Sequence, residues 1–224
     1  MDLTDHPSPN YDSREGQMID MLVLHYTGMQ TLEAAVRRLT DPDAEVSAHY
    51  LVTETGRVIQ LVNERERAWH AGVSSWRGAT NINARSIGVE IENPGHDAGY
   101  RAFTFVQMEA VIHLCSDILR RHSIPSRNVV GHSDVAPVRK MDPGELFDWP
   151  KLAFNGIGIW PDTLALPNPG KEFDAEAELA RVGYDVSDIQ AALTAFQRHF
   201  CPSNITGVAD TQTCQQLACL LALF

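Results

Sequence analysis

This chain lacks several features that mark other classes of protein. No apolar run approaches the roughly 20 residues needed to cross a bilayer, so a membrane helix is not expected. Basic residues are scarce: 18 Lys and Arg stand against 29 Asp and Glu. The resulting formal charge of −11 argues against a nucleic-acid partner, which would need a cationic face to meet phosphate. Cysteine is limited to Cys115, Cys201, Cys214 and Cys219, at spacings that fit neither a zinc ribbon nor a Cys-x-x-Cys redox site. The opening Met1-Asp2-Leu3-Thr4-Asp5-His6-Pro7 has neither the basic start nor the apolar stretch of a secretion signal, which makes a cytoplasmic location the expectation.

What is present suits a globular protein of one substantial domain and a smaller one, with 44% hydrophobic residues in 224. Apolar spacing predicts helices over residues 31–39 and 105–121, the second stopped by Ser123-Ile124-Pro125. Strand-like runs cover 47–53 and 57–62, joined as a hairpin through Glu54-Thr55-Gly56. Residues 86–92 alternate, with Ile87, Val89 and Ile91 on one side and Glu90 on the other. Strands mixed with long helices, and a hairpin among them, predict an α/β or α+β layered domain over 1–160. A proline-rich linker over 161–174 follows, and 175–224 carries three helical patterns, a small C-terminal bundle.

Two histidines and an aspartate each sit where a strand-like run gives way to a turn. His25 ends Met21-Leu22-Val23-Leu24, His132 follows Asn128-Val129-Val130-Gly131, and Asp142 closes Arg139-Lys140-Met141. Ligands at strand ends are held on rigid supports. Two imidazoles and one carboxylate suit Zn²⁺, one ion per chain, and leave a coordination position open, as catalytic sites require.

The sequence around these residues resembles one family. Val23-Leu24-His25-Tyr26-Thr27, Val46-Ser47-Ala48-His49-Tyr50-Leu51-Val52, Ala68-Trp69-His70-Ala71-Gly72, Ser86-Ile87-Gly88-Val89-Glu90-Ile91-Glu92-Asn93, Gly131-His132-Ser133-Asp134-Val135-Ala136-Pro137 and Arg139-Lys140-Met141-Asp142-Pro143-Gly144 occur in that family's order. They are similar to the zinc-dependent N-acetylmuramoyl-L-alanine amidases of type 2, which share the peptidoglycan recognition protein fold, and within them to the AmiD-like branch. The resemblance implies hydrolysis of the amide between the muramic lactyl group and L-alanine, with peptidoglycan or a soluble muropeptide as substrate. It also implies that the tail, through Ala195-Phe196-Gln197 with Gly207, Asp210 and Thr213, is a peptidoglycan-binding-like domain.

Amide hydrolysis needs an activated water, a carboxylate that moves its proton, and a positive charge for the developing oxyanion. The resemblance makes Glu90 the proton-transfer group, although alternation directs Glu92 to the same face and cannot separate the two. Lys140, two residues before Asp142, is the candidate oxyanion partner, since that spacing in an extended segment puts both side chains on one side. Trp69 and His70 are the expected groove residues, and His49 a wall or supporting residue. Asn81 stands where the anhydro-muropeptide-specific branch has a carboxylate-binding arginine, with Arg77 the nearest substitute. Two other readings fare worse on sequence: a non-catalytic recognition module of the same fold can lose a metal ligand, and here none is missing, while an iron site built on His132-Ser133-Asp134 leaves His25, Glu90, Lys140 and Asp142 unexplained.

Overall fold

Strand β3 (Met21–Tyr26) carries the architecture. Side chains alternate along a strand, and here the two sets enter different cores: Leu22 and Leu24 pack one way, Met21 and Val23 the other, with His25 continuing the second set. Strand β7 (Ser86–Ile91) pairs with β3 in parallel, His25 opposite Glu90, so Ser86, Gly88 and Glu90 share the face of His25. Strand β8 (Val129–Gly131) pairs on the other side, Gly131 opposite Leu24. Beyond β7 lie β4 (Tyr50–Val52), β5 (Val58–Gln60) and β1 (Leu3–Asp5), giving the order β1-β5-β4-β7-β3-β8. The β4–β5 pair is antiparallel, the expected hairpin, and the other neighbours run parallel. Strands β2 (Tyr11–Ser13) and β6 (Glu66–Ala68) form a separate antiparallel pair.

These elements belong to a computed structural model that describes residues 3–161, 170 and 173–223. Most of the expected linker over 161–174 therefore lies outside the described residues. Helix α1 (Leu32–Thr40) starts at a Thr31 cap, and the four-residue α2 (Ile82–Arg85) leads into β7. Helix α3 (Phe105–Arg121) begins with a Thr104–Gln107 capping box and lays Met108, Val111, Leu114, Cys115 and Ile118 against Leu22, Leu24, Ile87, Val89 and Ile91. Burial pushes the Cys115 thiol up to about 12, which makes it an inert core residue. Short helices α4 (His132–Val135) and α5 (Trp149–Phe154) follow.

The C-terminal helices α6 (Ala175–Val182), α7 (Ile189–Phe200) and α8 (Thr211–Leu221) start at aspartate caps, Asp174, Asp188 and Asp210. Their apolar faces do not close on one another alone. Leu179, Val182, Phe196, Leu217 and Leu220 form one core with Met21, Val23, Trp76, Ile82, Val130 and Val135. The helices thus cover the second face of β3 and β8. Exposing Met21, Val23 and Val130 would cost roughly 5 kcal/mol at about 1.5 kcal/mol or more each, which is the scale of a whole domain's stability.

Candidate metal centre and active site

The ends of β3 and β8 and the loop after α4 bring His25, His132 and Asp142 together. The two Nδ1 atoms lie 2.9 Å apart, and each is 3.0 Å from Asp142 Oδ2. All three residues are buried. Ser133 N–H donates to the Asp142 carbonyl at 2.9 Å, tying the segments that carry His132 and Asp142. Gly131 is needed at this crossing: a Cβ there would come within 2.7 Å of Pro143 Cδ.

Hydrogen bonds on the far sides of the rings decide what the near sides present. His132 Nε2 is 3.1 Å from the Ala71 carbonyl, which can only accept, so the proton sits on Nε2 and Nδ1 offers a lone pair. For His25 the chain is longer. The Ser86 hydroxyl donates to the Ile82 carbonyl at 2.7 Å and accepts from His70 Nε2 at 3.1 Å, which leaves His70 Nδ1 as an acceptor. His25 Nε2–H donates to that atom at 3.1 Å, and His25 Nδ1 is left with a lone pair. Burial, reinforced by His132, lowers the His25 pKa to about 4, so the ring is neutral. Three lone pairs therefore face one another at about 3 Å, an arrangement that a cation resolves. Ligands bound at about 2.0–2.1 Å around a tetrahedral ion are themselves roughly 3.3 Å apart, so this donor set fits Zn²⁺.

His70 fits here because its neighbour is glycine. A Cβ on Gly88 would fall 2.4 Å from the His70 ring. The carbonyl oxygen of the Asn83 side chain accepts from the backbone N–H of both His70 and Ala71, which fixes the loop. His49 is fully buried beneath it, with Nδ1 accepting from Gly88 N–H at 2.9 Å, a supporting place rather than a liganding one.

A cavity of about 330 Å³ opens over the cluster, lined among others by Tyr26, Arg38, His70, Glu90, Asp97, Arg139, Lys140 and Asp142. Glu90 Oε2 is buried there without a hydrogen-bond partner. Burial, then Asp142, push the Glu90 pKa well above the ordinary value, and Lys140 opposes them. Glu92 lies past the end of β7 and accepts from Glu54 N–H at 2.8 Å, so it closes a turn away from the cavity. Arg139 shares the rim with Lys140, but its guanidinium donates to the Ala71 and Val73 carbonyls and clamps the His70 loop.

The other expected groove residues are placed elsewhere. Trp69 is half-buried and does not line this cavity. Asn81 is exposed in a left-handed backbone conformation before α2. Arg77 reaches the C-terminal helices, donating to the Val182 carbonyl at 3.0 Å. The cations at the cavity are instead Arg38, Arg139 and Lys140. Sequence reasoning gave Arg38 no role, although helical spacing put it one residue before the apolar Leu39. It also passed over His96, which pairs with Tyr26 at 2.9 Å and Glu145 at 3.1 Å.

The family model described as N-acetylmuramoyl-L-alanine amidase matches residues 15–145. The N-acetylmuramoyl-L-alanine amidase AmiD of Escherichia coli (strain K12) is 43% identical over 222 residues, covering 87% of this chain and 79% of that protein. The structure of AmiD from E. coli, in complex with the substrate anhydro-N-acetylmuramic acid-L-Ala-D-gamma-Glu-L-Lys, matches with a TM-score of 0.83 at 38% identity, over 98% of this chain and 93% of that one. AmpDH3 from Pseudomonas aeruginosa, in complex with anhydromuramic pentapeptide, matches with a TM-score of 0.82 at 34% identity, over 96% and 94%.

Proposed function

This chain belongs to the N-acetylmuramoyl-L-alanine amidase family, and from that membership and the geometry of its site we propose that it cleaves muropeptides between the lactyl group of N-acetylmuramic acid and L-alanine. His25, His132 and Asp142 are the residues that would hold one Zn²⁺. Bound there, the ion would bring the pKa of a water to roughly 7 and polarise the scissile carbonyl.

The chain's own groups supply the rest. Glu90, as a carboxylate, takes the proton of the attacking water and returns it to the departing L-alanine nitrogen. Its raised pKa suits both halves of that task, because a group that holds its proton too weakly cannot protonate an amine as it leaves. The Lys140 ammonium meets the negative charge that grows on the carbonyl oxygen. Arg38 and Arg139 put local positive charge at the mouth of an otherwise acidic protein, which suits a stem peptide bearing carboxylates.

The observation that carries this reading is the unpartnered, buried Glu90 oxygen beside three converging lone pairs. A recognition module that only bound peptidoglycan would have no use for it. The test is mass spectrometry of products from intact sacculi, an anhydro-muropeptide and the matched ordinary muramyl peptide, with and without chelator. Release of the free stem peptide, lost with chelator and restored by Zn²⁺, is expected. Cleavage that persists in zinc-free protein would defeat the proposal.

A further inference from the structure

Of the His132-Ser133-Asp134 sequence, the reaction proposed above uses only the histidine. Asp134 is 1% exposed, yet its carboxylate is fully engaged. Oδ2 accepts from Gly131 N–H and from His199 Nδ1, both at 2.7 Å, and Oδ1 accepts the Tyr184 hydroxyl at 2.7 Å. The first bond is local and closes the turn from β8 into α4 on which His132 is mounted. The other two come from the C-terminal helices, Tyr184 from the segment between α6 and α7 and His199 from the last turn of α7.

Both donors are themselves fixed. The His199 ring is stacked between Trp149, 3.8 Å between centroids, and Phe200, at 3.9 Å. Tyr184 meets the Trp76 ring edge-on at 5.1 Å. The same turn of α7 also places Arg198 Nε 3.5 Å from Glu145, three residues after Asp142. Glu145 in turn holds His96, the partner of Tyr26, which follows His25. One turn of one helix therefore reaches the segments bearing all three candidate ligands.

We propose that the C-terminal helices brace the metal centre, with Tyr184 and His199 as positioning residues that act through Asp134 to hold His132 in its ligating geometry. The physical reason is stiffness. Ligating groups must be held to within about 0.5 Å, and α4 has four residues, too few to set its own entry angle. A buried carboxylate stripped of two donors must rotate, protonate or draw in water, and each of these loosens the Gly131 turn. The proposal rests on His132 being a metal ligand.

The test uses the full chain, stripped of metal and titrated with Zn²⁺ against a chelator of known affinity, with Co²⁺ absorption reporting ligand geometry. The double variant Tyr184→Phe with His199→Phe keeps an aromatic ring at both positions and removes both donors. It should bind Zn²⁺ about 10- to 100-fold more weakly, the range for partners that orient ligands. Its Co²⁺ bands should shift while KM for a soluble muropeptide stays within about twofold of wild type, since no substrate contact is removed. Leu217→Ala, which weakens the same core without touching Asp134, should lower Tm and leave zinc affinity unchanged. Wild-type zinc affinity with unshifted Co²⁺ bands in the double variant would overturn the brace, as would an equal loss of affinity in Leu217→Ala. If the double variant does not fold, Tyr184→Phe alone decides, with at least threefold weaker binding expected and no change refuting. A wild-type chain that binds no zinc would instead overturn the ligand assignment.

Discussion

Replacing His70 by leucine should weaken zinc binding without removing any ligand. His70 Nδ1 is the acceptor for His25 Nε2–H at 3.1 Å, in a place where both rings are buried. With the acceptor gone, His25 has two options. It can keep its proton on Nε2, leaving a buried N–H unpaired at a cost of about 1–3 kcal/mol. Or it can move the proton to Nδ1, where it points at His132 and Asp142 and must be displaced before a metal can bind. The first route costs the same with and without metal, whereas the second lowers affinity by up to that amount, a factor of roughly 5 to 150 since about 1.4 kcal/mol is tenfold, which brackets the 10- to 100-fold typical of such partners. His70→Asn tests the mechanism, because its side-chain oxygen can accept where Nδ1 did. It should recover most of the affinity. The assay is competition of the metal-free chain against a chelator, with circular dichroism to confirm folding. A folded His70→Leu chain that binds zinc within twofold of wild type would refute the relay. An asparagine variant as weak as the leucine one would show that ring volume, not the acceptor, is what matters.

The ligand variants His25→Ala, His132→Ala and Asp142→Ala should each hold less than one zinc and lose activity together, measured by metal content and product release on the same samples. Glu90→Gln and Lys140→Ala should keep their zinc and lose about 10²-fold or more in kcat, whereas Glu92→Gln should stay active; a dead Glu92→Gln beside an active Glu90→Gln would reverse the assignment. Acid stability should depend on Glu64: burial would raise its pKa, but hydrogen bonds from Arg121, His122 and Tyr50 bring it from 4.5 down to about 2. A carboxylate with a depressed folded-state pKa stabilises above its unfolded pKa and loses that contribution as pH falls through the folded value, so Glu64 should contribute at most about 3 kcal/mol above pH 4.5 that fades toward pH 2. Urea midpoints of wild type and Glu64→Gln should converge across that window, and parallel curves would count against it.

Much of the fold was readable because periodicity and burial coincide in its centre. Ile87, Val89 and Ile91 alternate in the sequence and do face α3, and the apolar spacing over 105–121 gives α3 with the same bounds. The pairing of β3 with β7 was not foreseen; it sets His25 opposite Glu90 in parallel strands, so a candidate ligand and a carboxylate share a face. The weaker inferences failed where a pattern was extended past the element that produced it. Alternation put Glu92 with Glu90, but β7 ends at Ile91 and the backbone turns, so Glu92 binds the Glu54 N–H. The elements that were not foreseen, β1, β2, β6, α2, α4 and α5, run from three to six residues, too short for a period to register.

The tail shows a different limit. Amphipathic helices state that a face must be buried and say nothing about what will bury it. On sequence alone, Leu179, Phe196, Leu217 and Leu220 could close a small bundle of their own, hung on a proline-rich linker. In the structure the same residues meet Met21, Val23 and Val130, the half of β3 and β8 that α3 does not cover. A strand buried on both faces carries a continuous apolar run, as Met21-Leu22-Val23-Leu24 does, and such a run requires two covering layers. Helices α1 and α3 could not supply both, since α3 takes the Leu22 and Leu24 side while α1 lies with β4 and β5 around Leu51 and Ile59. The run itself was therefore a sign that the C-terminal helices had somewhere to go. Histidine 199 carried no readable signal for a related reason: its meaning lies in Asp134, 65 residues away, and only a docked tail brings the two together.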